Sequence, residues 1–100
     1  PAMQQCARPA ADTALIQRAY NLGGNKAQIP QMSRKKFKAT QVAIRAILTT
    51  YDDDSCACGW CKETFGVMTA RLAYMQKQED LGGCDAMAVT VAELVERAEE

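Results

Sequence analysis

Between Trp60 and Gln78 the apolar residues Cys61, Phe65, Met68, Leu72 and Met75 recur at i, i+4, i+7, i+11 and i+14. That spacing places them along one face of a helix as a heptad-like seam, and it is the strongest periodicity in the chain. Thr69 and Ala73 flank the seam at i, i+4 spacing and are small enough for a close helix neighbour. A long helix with one apolar face must bury that face against other elements, and the rest of the chain offers helices to do so.

Asp12 reads as the N-cap of a first helix, "DTALIQRAYNL", with Leu15, Ile16, Ala19 and Tyr20 on one face and Gly23-Gly24 as its stop. "NKAQIPQM" contains Pro30, has no period and reads as a loop. Ser33 then caps a second helix, Arg34 to Tyr51, whose stripe is Phe37, Ile44, Ile47, Leu48 and Tyr51. Asp52, Asp53 and Asp54 stop it, because carboxylates at a helix C-terminus oppose the macrodipole. The third helix runs from Gly59 or Trp60 to Gln78, and Gly82-Gly83 follows it. Thr90 and Glu93 form a T-x-x-E capping box ahead of a last helix bearing Val91, Leu94, Val95 and Ala98. No segment alternates as a strand would, so the expected fold is all-α, a small bundle of four to five short helices.

The chain has 100 residues, enough for one domain, and a small domain buries a smaller fraction of its surface than a large one. Only six residues are aromatic, so the core is thin and a staple would help. Pro1-Ala2 ahead of Met3 is expected to be a cleavage scar, with residues 3–100 forming a single helical domain. No apolar run approaches the ~20 residues of a membrane helix, and no secretory segment opens the chain. The expected location is the cytoplasm.

Candidate staples are cysteines. Five is an odd number, and without a secretory signal clustered cysteines point to metal or thiol chemistry rather than to a disulfide framework. Histidine is absent from the chain, which excludes imidazole general acid/base catalysis, Cys-His and Ser-His nucleophile pairs and histidine-ligated zinc. The chain is therefore expected to be no enzyme; neither Glu63 nor Asp54 has a partner in a catalytic pattern.

An all-thiolate site survives these exclusions. Cys56-x-Cys58-x2-Cys61 ends in the bite of a zinc knuckle, although C-x-C is unusual at a single zinc ion. Gly59 suits the tight turn, and Cys61 falls in the first turn of a helix, whose dipole favours a thiolate. Cys84 is the expected fourth ligand, with Cys6 and Asp54 as rivals. The cost is distance. A helix of ~18 residues is ~27 Å long. Cys84 therefore reaches the cluster only if about eight residues fold back at ~3.3 Å each. Zinc is the expected ion, ahead of an iron-sulfur cluster. Two other readings use the same residues: thiol exchange at Cys58-Gly-Trp-Cys61, which lacks its usual βαβ setting, and plain packing of reduced cysteines around Trp60.

Charge divides sharply along the chain. Residues 1–50 carry eight Lys or Arg against one acid, and residues 51–100 carry four against eleven. Such polarity predicts either a basic partner-binding half or two halves that attract each other. The candidate binding residues are Arg34, Lys35, Lys36, Lys38 and Arg45, with Trp60 as an aromatic contact. A protein partner is the leading expectation, and the function expected is that of a small regulatory or inhibitory binding protein. A nucleic acid is the alternative partner, although no helix-turn-helix, RRM or zinc-finger signature accompanies the basic residues. The aspartate run lacks the alternating ligands of an EF-hand.

Overall fold

The computed structural model describes residues 6–24, 27–51, 54–81 and 89–100. Among them the chain forms four α-helices and one 3-10 turn, with no strand: α1 (Ala10–Leu22), the 3-10 turn (Ile29–Gln31), α2 (Arg34–Thr50), α3 (Gly59–Gln78) and α4 (Val91–Glu99). The all-α fold read from periodicity is the fold observed.

Helix α1 starts three residues earlier than its capping signal suggests. Pro9, with ψ 146°, holds the N-cap position, and its carbonyl accepts the amides of Asp12 (3.0 Å) and Thr13 (3.1 Å). Proline's fixed φ and the high helix propensity of Ala10 and Ala11 carry the helix past the expected start. Asp12 is therefore a first-turn residue rather than the cap. Its carboxylate faces the positive end of the helix dipole and accepts the Tyr51 hydroxyl at 3.4 Å. At the other end, Gly24 adopts φ +56°, a left-handed conformation suited to glycine.

Arg71 of α3 closes that end. Its guanidinium donates to the carbonyls of Tyr20 (2.5 Å) and Gly24 (2.6 Å) and lies over the Tyr20 ring, 5.3 Å from its centroid. A cation on the last carbonyls of a helix satisfies acceptors the helix cannot. Arg71 is 9% exposed, and desolvation lowers its pKa below the usual value for arginine. A Cβ on Gly23 would come within 2.0 Å of the Arg71 Cδ, so the arginine stem occupies the space the glycine leaves.

Ser33 caps α2 as expected, accepting the Lys36 amide at 3.1 Å. This helix packs on the other three, and Thr40, Gln41, Ala43, Ile44 and Ile47 are completely buried along it. Ile29, in the stretch read as a structureless loop, is 1% exposed; the 3-10 turn around Pro30 drops it into the core. The α3 seam is as expected at Cys61, Phe65, Met68 and Met75, while Leu72 is half-buried. Thr69 and Ala73 are exposed, so no helix approaches the flank they line among the described residues. Helix α4 begins at Thr90, whose hydroxyl accepts the Glu93 amide at 3.1 Å, and buries Leu94, Val95 and Ala98.

Gln41 ties α2 to the chain leaving α3. Its amide donates to the Glu79 carbonyl at 3.0 Å and accepts the Leu81 amide at 2.8 Å. One side chain thus satisfies both a donor and an acceptor of a terminating helix.

Part of the charge division is met by pairs within the molecule. Arg18 pairs with Glu99, Arg34 with Glu79 (2.8 Å) and Arg45 with Asp80 (3.1 Å), each joining a base of the first half to an acid of the second. Exposed pairs of this kind each contribute little to stability, yet their common polarity favours one mutual orientation of the halves. They also account for cations at the start of α2. Arg34 turns to Glu79, and the Lys36 ammonium donates to the Ala98 carbonyl at the end of α4, where a cation is favoured.

Gln41→Leu removes both bonds from the Glu79–Leu81 segment, and unpaired buried polar groups cost ~1–3 kcal/mol each. Urea unfolding is expected to show a loss of that order with the helix content of the folded state unchanged. Gly23→Ala, which forces Arg71 off its carbonyls, is expected to lower stability by ~1–3 kcal/mol in the same assay.

Candidate metal centre

The start of α3 is built from cysteine. Cys58 occupies the N-cap with extended backbone (ψ 161°), and its sulfur accepts the Cys61 amide at 3.3 Å. A sulfur here does what a serine oxygen does at other helix starts. Cys61 follows in the first turn with its side chain facing inward, 1% exposed, at the head of the apolar seam. Cys56, 8% exposed, precedes them on the connection from α2. The fourth sulfur comes from across the fold: Cys6, on the segment that leads through Pro9 into α1, places its Sγ 3.5 Å from that of Cys61.

The Sγ atoms of Cys6, Cys56, Cys58 and Cys61 all lie within 4.8 Å of one another, and the four residues are free cysteines. Tetrahedral ligation at a Zn–S distance of ~2.3 Å requires sulfurs ~3.8 Å apart. The set thus surrounds a space of the right size for one ion. Cysteines on different irons of a cluster stand further apart than those around a single ion, so the compact arrangement suits a mononuclear centre.

Donors converge on these sulfurs as they do on metal-bound thiolates. The Ala7 amide reaches Cys56 Sγ at 3.4 Å, and Arg8 Nε reaches Cys61 Sγ at 3.4 Å. The Arg8 guanidinium also lies over the Phe65 ring, 4.8 Å from its centroid. The electrostatics split the cluster. Amide donation from Ala7 and then Cys58 pulls the Cys56 thiol down to about 6, whereas burial pushes Cys61 up to about 12 despite the opposing hydrogen bond from Arg8. Four adjacent sulfurs cannot all become anionic beside one another without a cation among them.

Of the expected ligands, Cys56, Cys58 and Cys61 come together, and Cys84 lies outside the described residues. Cys6 takes the remaining place at the cluster without any return along α3. The sequence offered it only as a rival to Cys84, because no spacing links it to the other three; the path of the chain into α1 brings it to them. Asp54 is exposed and is not among the clustered ligands. Nor did any spacing mark Arg8, whose role depends on the position of Cys61 and Phe65 beside it.

The basic candidates are dispersed along α2. Arg34, Lys36 and Arg45 have the internal partners described above, while Lys35 and Lys38 are exposed. Trp60 is half-buried and donates its indole N–H to Gln17 Oε1 at 3.3 Å, joining the start of α3 to α1. No helix among the described residues is long and apolar enough to cross a membrane.

No protein family, curated protein or solved structure matches this chain.

The ligand set separates by mutation. Cys6→Ser is expected to weaken metal retention by more than the ~10–100-fold that loss of an outer hydrogen-bond partner costs a metal site. Cys84→Ser is expected to leave one ion per chain, as read by elemental analysis of the purified variants.

Proposed function

We propose that this chain is a small, non-enzymatic binding protein whose fold is held by one zinc ion on Cys6, Cys56, Cys58 and Cys61. The observation that carries this reading is the convergence of four sulfurs from two separate segments, one before α1 and one at the start of α3, within 4.8 Å, with amide and guanidinium donors aimed at them. A two-cysteine redox pair has no need of Cys6 and Cys56. Four protein sulfurs fill a tetrahedral shell and leave no position for water or substrate, which is the arrangement of structural zinc rather than catalytic zinc. Zinc is the ion of choice for a tetrahedral thiolate set in a chain without other redox machinery. A reducing compartment such as the cytoplasm would keep the thiols available as ligands.

The ion would fix the segment before α1 to the start of α3. A chain with a thin core gains most from such a staple, because the binding free energy of a structural ion becomes folding free energy.

The partner we assign is another protein. A phosphate-binding surface needs several outward cations, and on α2 Arg34 and Arg45 face carboxylates while Lys36 is bonded to a carbonyl. Lys35 and Lys38 remain on that helix as exposed cations without an acid partner described above, so α2 by itself would add a salt dependence of only about two phosphate contacts to any affinity for nucleic acid.

Native mass spectrometry of the chain purified without added metal tests the centre. One zinc mass per chain is expected, lost on chelation together with helical circular dichroism. Bare protein with five alkylatable thiols and unchanged helicity removes the centre, whereas bare protein with only three alkylatable thiols and a Cys58–Cys61 disulfide moves the assignment to thiol exchange. Elemental analysis separates zinc from iron.

A further inference from the structure

Four thiolates around a divalent ion carry a net charge of about −2, and a coordinating thiol is deprotonated outright. Here that charge lies beside an apolar seam: Cys61 is 1% exposed and Phe65, one turn on, is 5% exposed. Burying uncompensated charge is costly, so the site needs a fixed positive group in contact with its most buried ligand.

Building on the zinc reading above, we propose that Arg8 positions the Cys61 thiolate and neutralises part of its charge, and so governs how tightly the centre holds a divalent ion. Its Nε lies 3.4 Å from Cys61 Sγ. Its guanidinium also lies over the Phe65 ring, 4.8 Å from the centroid. Two residues earlier in the chain, Cys6 supplies a ligand, and between them the Ala7 amide donates to Cys56 at 3.4 Å. The tripeptide Cys6-Ala7-Arg8 therefore contributes one ligand and two donors, each directed at a different sulfur. A hydrogen bond to a thiolate draws electron density from sulfur, which stabilises the anion and makes it harder to oxidise by charge transfer to the metal.

Arg8 therefore leaves a mark on the metal that packing alone would not. In the full chain loaded with cobalt(II), Arg8→Met is expected to keep the spectrum of a tetrahedral thiolate site while moving its sulfur-to-cobalt charge-transfer band to lower energy. Its zinc affinity, measured by competition with a chelating dye, is expected to fall ~10–100-fold. Arg8→Lys, which retains the charge and a donor, is expected to recover most of the affinity. Phe65→Leu, which removes the ring but leaves the guanidinium, is expected to leave the band closer to wild type than Arg8→Met does. A band and affinity in Arg8→Met equal to wild type would reduce Arg8 to a cover for Phe65 and overturn the proposal. So would a Phe65→Leu protein that reproduces the Arg8→Met shift, or an Arg8→Met chain that loses tetrahedral cobalt altogether while Arg8→Lys fares no better. A wild-type chain that takes up neither cobalt nor zinc would overturn the centre itself.

Discussion

Helix α2 carries the structure. Every other helix packs against it, and five of its residues, Thr40, Gln41, Ala43, Ile44 and Ile47, are completely buried. In a chain with six aromatic residues, close contact over a central helix replaces the large buried surface that bulky side chains would supply. Polar groups along α2 are then drawn into structural work. Gln41 holds the strand of chain leaving α3, and the cations at its N-terminus reach across to Glu79 and to the end of α4.

Around that helix, the ends of the others are secured by side chains from elsewhere in the fold. Arg71 of α3 closes the end of α1, and Trp60 of α3 bonds Gln17 of α1. The four sulfurs gather where the segment before α1 meets the start of α3. These contacts sit at opposite ends of the α1–α3 pair, so the sulfur cluster and the arginine clamp together hold two helices that share a modest apolar interface. A metal on the cluster would do at one end what Arg71 does at the other.

The charge division has the same character. Taken as a list of residues, a basic first half suggests a binding surface. Folded, Arg18, Arg34 and Arg45 lie against Glu99, Glu79 and Asp80, so three of the eight cations of the first half join the two halves. The exposed Lys35 and Lys38 are what this leaves outward on α2.

Local chemistry was enough to read the helices. The Ser33 and Thr90 caps, the Gly59 start and the seam from Cys61 to Met75 act over four to seven residues, and each is where its spacing places it. The start of α1 was misread because the capping preference of Asp12 competed with Pro9 and two alanines, which prevailed. Three of the clustered sulfurs were legible for the same local reason, since Cys56, Cys58 and Cys61 lie on one turn. Cys6 was legible only as a rival to Cys84, and Arg8, Arg71, Gln41 and Ile29 were not marked at all, although all are visible as residues. Their roles rest on neighbours at least about a dozen positions away in sequence, and periodicity carries no information about which distant segments meet. Spacing along the chain determined where the helices run and which thiols share a turn; only packing decided which fourth sulfur joins them and which cation stands beside it.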